Sequence, residues 1–319
     1  MDEPNILLRW AMYHFAGGDA YLLGLAVFAT AQLALCRVQV PWQRRWLIIA
    51  GRTGLIWAIA DPSPVPWIVI AALVVFLLSA MVRRWRPKQP AESTDGGRAE
   101  RLFRMPLACL AVIAILCELP YYWGPEFPAA PTSIAIVGDS VTAGLNDGEE
   151  TWPKQIAQTS KLRGFAASQP GATLKSAVRQ VELLNTVEAD VLFLEIGGND
   201  LLEWLPVADF EQNLGRLLAA TQSQRRPVVM FELPLPPLAA RYCAVQRRLA
   251  SDFHVRLIPR RHFLRVLTGD GSTVDGIHLS KRGQTRLMEL VQKLLKAGGQ
   301  SAAEAGEYRH LEPPRPLSR

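Results

Sequence analysis

The apolar run Ile134-Ala135-Ile136-Val137, followed at once by Gly138-Asp139-Ser140, constrains this chain more than any other feature. A short, unbroken apolar run bounded by a glycine turn reads as a strand buried on both faces. The turn then delivers the next side chain to the carboxyl edge of a sheet, where open α/β folds place their chemistry. A serine at that point is a candidate nucleophile. Gly-Asp-Ser is also ordinary turn composition, so the motif gains its force from two later blocks of the chain. Gly197-Gly198-Asn199-Asp200 closes a second apolar run, and Asp275-Gly276-Ile277-His278 lies near the end.

The pattern around these motifs alternates. Strand-like runs at 134–137, 164–167, 191–196, 228–232 and 255–258 are separated by helical patterns at about 151–160, 174–188, 207–224, 241–252 and 281–296. Strands alternating with amphipathic helices imply a parallel sheet covered on both faces, a three-layer α/β/α sandwich.

A serine hydroxyl is a weak nucleophile at neutral pH and needs a base. His278 suits that role because imidazole titrates near the working pH. In Asp275-x-x-His278 the carboxylate can fold back onto the ring Nδ1, fixing the tautomer and stabilising the imidazolium. The other histidines, His14, His254, His262 and His310, read as structural or surface residues.

Taken together, Ser140, the block Ser168-Gln169-Pro170-Gly171-Ala172-Thr173, Asn199 and His278 resemble the GDSL/SGNH hydrolase family, in its lysophospholipase/thioesterase-like branch. The resemblance covers about residues 132 to 297. It implies a five-stranded sheet in flavodoxin-like order. It also implies Ser140, Asp275 and His278 as catalytic residues, with an oxyanion hole of the Ser140 N–H, the Gly171 N–H and the Asn199 side-chain amide. No metal or organic cofactor is implied. Asp139 and Asp200 read as carboxylates that brace loops. Leu201, Trp204 and Leu235 lie in apolar loops that either line an acyl groove, touch a bilayer, or pack under a neighbouring helix.

The chain is 49% hydrophobic, and the apolar content is uneven. Residues 1–104 hold 12 Lys and Arg against 7 Asp and Glu, while the remainder is nearly balanced. The basic excess therefore belongs to the apolar N-terminal part. That argues against a nucleic-acid partner and for loops beside a membrane. Apolar segments at about 17–36, 46–60, 65–82 and 105–121 are candidate spans, of which 65–82 is free of charge throughout. The basic loops after the first and third segments would face the cytoplasm, leaving everything after about residue 120 outside. The late start of the first run argues against a cleaved signal peptide. The four cysteines read as small buried hydrophobes, with no zinc spacing.

The expected organisation is a transmembrane module at 1–123, a linker at 124–131, a hydrolase domain at 132–297 and a disordered tail at 298–319. The expected function is a multi-pass, inner-membrane serine esterase with its catalytic domain on the periplasmic side, acting on an acyl ester of a lipid or glycan. An envelope O-acyltransferase using the same residues and a non-catalytic scaffold are the alternatives. The residues say nothing of oligomeric state.

Overall fold

The computed structural model describes residues 6–85, 96–125, 131–146, 148–160, 162–296 and 307–312. The chain divides into two compact units, one of residues 14–122 and 236–240, the other of residues 1–13, 123–235 and 241–319.

Five α-helices lead the chain: α1 (Ile6–Ala16), α2 (Asp19–Leu35), α3 (Pro41–Ala60), α4 (Trp67–Trp85) and α5 (Gly96–Glu118). A short 3-10 turn, Leu119–Tyr122, continues α5. Helices α2 and α3 touch backbone to backbone: a Cβ at Gly24 would overlap the Gly54 carbonyl, and a Cβ at Gly54 would overlap that of Gly24. Small side chains also dominate the shared interior, which holds Ala29, Ala58, Ala108, Ala111 and Ala114 around Tyr21 and Leu25. Such packing lets helices approach closely without large apolar knobs. The large apolar side chains face outward instead, among them Trp42, Trp46 and Ile56, each more than 60% exposed. Polar bonds tie the helix ends: Arg104 Nη1 donates to Gln32 Oε1 at 2.9 Å, and Ser63 Oγ to Glu118 Oε1 at 3.1 Å.

Among the described residues, one stretch, Arg101–Tyr122, is long and apolar enough to cross a membrane, with a mean hydropathy of 2.1. A second is possible where α2 and the end of α1 meet at a 75° bend. The segment at 65–82 is helical in α4, but several of its side chains lie outside the described residues. The cysteines depart from expectation. Cys243 is buried, Cys36 is half-buried, and Cys109 and Cys117 are exposed on α5, whose apolar outer face carries them.

The second unit is built on a parallel sheet. Its strands are β1 (Ser133–Gly138), β2 (Arg163–Ser168), β3 (Val191–Glu195), β4 (Val228–Phe231), β5 (Arg256–Ile258) and β6 (Tyr308–His310). The order is β5-β4-β3-β1-β2-β6, with every pairing parallel. The inner order of the first five is the flavodoxin-like one. All of β1, β3 and β4 is buried, as their unbroken apolar runs require.

The intervening helices are α6 (Ser140–Ala143), α7 (Trp152–Thr159), α8 (Leu174–Leu184), α9 (Gly198–Leu202), α10 (Val207–Thr221), α11 (Ala240–Asp252), α12 (Arg260–Leu267) and α13 (Lys281–Lys296). The step from β1 to β2 runs opposite to the steps from β2 to β3 and from β3 to β4. Right-handed crossovers therefore put α7 on one face and α8 and α10 on the other. The main core joins α7, α12 and α13 to the sheet through Trp152, Ile156, Phe263, Leu287 and Val291.

The sheet has six strands, not five. The extra edge strand lies within 298–319, the stretch whose composition predicts disorder. Gly164 N–H donates to Glu307 O and Leu311 N–H to Ala166 O, both at 2.7 Å. The strand is held by backbone pairing, and Tyr-Arg-His has no apolar alternation to betray it. Residues 297–306 and 313–319 lie outside the described residues.

Candidate active site

The site gathers at the carboxyl ends of β1, β2 and β3. Gly138 ends β1, and a Cβ there would overlap the Thr142 side chain, so the turn closes only on glycine. Asp139 caps α6, its Oδ1 accepting from Val141 N–H at 2.9 Å. Ser140 is the first residue of that helix and keeps 8% of its surface exposed.

After β2 the chain turns through Gly171, whose φ of +74° favours glycine. Open space, with no atom within 4 Å, lies where a Cβ would stand. The position is thus set by backbone conformation and leaves its surroundings clear. Thr173 then starts α8 with a capping box to Ser176.

After β3, Gly197 with φ +107° carries the chain into α9. Asn199 Nδ2 donates to Ala172 O at 2.8 Å and approaches Asp139 Oδ2 at 3.5 Å. One amide thus ties the second block to the first, and its longer N–H contact is the one free to turn toward an oxyanion. Asp200 braces the same junction, accepting from Leu174 N–H at 2.9 Å. Both aspartates are loop braces by their bonds, and burial raises the Asp200 carboxyl above its usual range.

Asp275 and His278 sit on the loop before α13. Asp275 Oδ2 lies 2.6 Å from His278 Nδ1, while Oδ1 accepts from the N–H groups of Ile277 (3.0 Å) and His278 (2.8 Å). These bonds, led by that to the imidazole, pull the Asp275 carboxyl down to about 2. Gly276, at φ +92°, permits the tight loop, and a β-bridge between Thr273 and Leu279 closes its base. Burial lifts the Asp139 carboxyl to about 6, a rise that its hydrogen bond to Val141 and the nearby His278 oppose. Among the described residues no hydrogen bond joins the Ser140 hydroxyl to His278. Such bonds tighten with substrate present.

The apolar loop residues separate. Trp204 is 81% exposed with φ 54°, Leu201 is half-buried, and Leu235 is 1% exposed and packs in the interior. For Leu235 the structure therefore gives the packing alternative rather than an open groove.

Two features escaped sequence reading. Glu195, the last residue of β3, is fully buried beside Asp139 and accepts from Thr142 Oγ1 at 2.8 Å. Glu232, at the end of β4, is also fully buried; it accepts from Arg247 Nε at 2.6 Å and from the Arg260 backbone N–H at 3.1 Å. The readable signal for each was a carboxylate inside or ending an apolar run, since buried acids are almost always partnered. No cluster of three His, Cys, Asp or Glu side chains among the described residues could hold a metal ion.

A serine on a strand-end turn, an imidazole bound to a carboxylate and amides converging on one edge of a parallel sheet suit acyl transfer through a serine. Comparison with known proteins agrees. Residues 136–286 match the GDSL-like Lipase/Acylhydrolase family. Over 182 residues the chain is 29% identical to "Esterase TesA" of Pseudomonas aeruginosa, covering 53% of this chain and 90% of that one. Over 177 residues it is 26% identical to "Thioesterase 1/protease 1/lysophospholipase L1" of Escherichia coli K12, covering 53% and 85%. Among solved structures it is similar to the psychrotrophic esterase EstA from Pseudoalteromonas sp., at 25% identity and a TM-score of 0.46, covering 52% of this chain and 97% of that one. Residues 136–286 thus resemble a GDSL-like lipase/acylhydrolase domain, and these likenesses support a carboxylic ester hydrolase activity.

Proposed function

We propose that Ser140 attacks the carbonyl carbon of an acyl ester and forms an acyl-enzyme. His278 takes the Ser140 proton and returns it to the leaving alcohol. Asp275 holds the imidazole with Nδ1–H toward itself and stabilises the imidazolium. The Ser140 and Gly171 backbone N–H groups and the Asn199 amide receive the oxyanion, each donor being worth about 3 kcal/mol in the transition state. Water, activated by the same histidine, then releases the acid. The observation that carries this reading is the 2.6 Å contact between Asp275 and His278, with Ser140 on the turn that closes β1.

The proposed substrate is an acyl lipid or an O-acyl glycan, and the names of the related esterases and lysophospholipase support that class. The helical unit is proposed as a membrane anchor. Its support is the apolar stretch Arg101–Tyr122 and the outward Trp and Ile side chains. On this reading the helices about 17–36, 46–60, 65–82 and 105–121 span an inner membrane and leave 132–297 on its outer side, joined through a linker at 124–131.

The test is hydrolysis of p-nitrophenyl esters, from acetyl to long-chain, by the full chain in detergent with Ser140→Ala beside it. Turnover that depends on Ser140 is expected, with the chain-length optimum choosing between glycan acetyl groups and lipids. Turnover that survives Ser140→Ala overturns the assignment.

A further inference from the structure

A buried acid beside the nucleophile turn has no part in that chemistry. Glu195 ends β3 directly opposite Gly138 of β1 in the parallel register. Its carboxyl lies beside that of Asp139, the residue before the nucleophile, and accepts from Thr142 of the same turn at 2.8 Å. Two carboxyl groups held together in a dry site cannot both be ionised, so one of them keeps a proton.

The surroundings decide which one. Asp139 accepts from Val141 N–H at 2.9 Å and is approached by Asn199 Nδ2 at 3.5 Å, and the charge of His278 reaches it, so its anion is favoured. Glu195 lies deeper. It accepts from Thr142 Oγ1 at 2.8 Å. The Thr142 hydroxyl in turn receives the Trp152 indole N–H at 3.3 Å, so its single proton is committed to Glu195 Oε2. Around the pair, the groups that can carry charge are His278, from the loop before α13, and Asp200, from α9. The remaining neighbours, Thr142, Trp152 and Gln284, are neutral; Gln284 binds Trp152 N–H and Val141 O and closes the nest from α13.

We propose that Glu195 is a positioning residue: it holds one proton between its carboxyl and that of Asp139. It thereby keeps Asp139 a singly charged clamp on the Ser140 turn and on the Asn199 amide. The inference rests on the ester-hydrolase reading for its catalytic consequence, though not for the proton itself. Burial supports the assignment: it lifts Asp139 only to about 6, leaving it charged at neutral pH, and lifts Glu195 well above the usual carboxylate range. Loss of the Glu195 proton would set a second negative charge against Asp139 in a dry site and drive the turn and the amide apart. The active form is thus the one with neutral Glu195, and activity falls on the alkaline side as that proton leaves.

The test compares the full chain with Glu195→Gln and Glu195→Ala. A glutamine can still donate to Asp139 and accept from Thr142. Glu195→Gln is therefore expected to fold and to lower kcat no more than about threefold, whereas Glu195→Ala lowers it about 100-fold by misplacing the serine and amide. The alkaline fall in kcat is expected to be absent in Glu195→Gln. Infrared difference spectroscopy reads the proton without substrate: a protonated-carboxyl stretch at neutral pH in the wild type, missing in Glu195→Gln. A wild type without that band, a band that persists in Glu195→Gln, or an unchanged alkaline limb in Glu195→Gln overturns the proposal. A band that behaves as expected in a protein with no esterase activity would overturn the hydrolase reading alone and leave the shared proton standing.

Discussion

The two units spend their apolar residues in opposite ways. In the α/β unit the long side chains fill the interior: Trp152, Phe193, Phe210 and Phe231 are each no more than 1% exposed. In the helical unit the interior is made mostly of glycine and alanine, and the tryptophans and isoleucines lie outside. An interior built from large side chains is stabilised by removing apolar area from water, about 25 cal/mol per Å². An interior built from small ones relies on close backbone approach, which suits a surrounding medium that is itself apolar. Both units also bury acids, and each meets donors there: Asp139, Glu195 and Glu232 in the α/β unit, Asp61 and Glu118 in the helical one.

The largest effect that would break this contrast belongs to the strand-end site. Ser140→Ala is expected to lower kcat about 10³-fold or more with the fold retained, as p-nitrophenyl ester turnover and circular dichroism would report. Asp275→Asn keeps the loop but withdraws the charge from the imidazole, and a fall of about 10²-fold is expected in the same assay.

The acid side of the contact is also fixed in sign. The folded Asp275 carboxyl is lowered to about 2, so its bond to His278 is fully present above the unfolded carboxyl value and is lost as pH falls through about 2. NMR of the His278 ring should therefore show the contact intact below the unfolded aspartate value of about 3.9. Its disappearance near that value would mean that the loop is not closed in solution.

The next effects are on stability. Glu232→Ala leaves the Arg247 guanidinium, 6% exposed along its side chain, without this carboxylate partner at 2.6 Å. A loss of about 3–5 kcal/mol is expected in chemical denaturation. Gly24→Val forces a side chain against the Gly54 carbonyl. It should cost about 1–3 kcal/mol in the stability of the helical unit while leaving ester turnover in folded protein unchanged. If Gly24→Val is silent, the backbone contact between α2 and α3 is not what holds that unit. The smallest effect is assigned to Trp204→Ala. It removes an exposed indole just after α9, the helix that holds Asn199, and should change the preference for long over short acyl esters by about tenfold. An unchanged chain-length profile would remove Trp204 from the substrate surface.

Much of the α/β unit was legible in one dimension. The runs at 134–137, 164–167, 191–196, 228–232 and 255–258 became β1 to β5 within a residue or two, because a strand buried on both faces must be apolar along its whole length. The places of Ser140 and Asn199 at strand ends and the contact of Asp275 with His278 were legible for a related reason. They follow glycines or close short loops, and sequence-local geometry suffices to bring a carboxylate onto an imidazole three residues away. Helix α12 was not legible, nor was β6, whose pairing lies in its backbone.

No residue states what it meets across the fold. The register of β1 against β3 is what sets Glu195 beside Asp139, 56 positions away in sequence. The same closure buries Leu235 while leaving Trp204 in the open. Within the helical unit, the crossing of two helices makes glycine obligatory at 24 and 54. Residue type and local spacing determined the strands, the Ser140 turn and the Asp275–His278 contact, because those depend on neighbours along the chain. The tertiary structure alone decided the buried acid pair, the sixth strand and the division of apolar residues between interior and surface, because each depends on which distant segment supplies the other half of the contact.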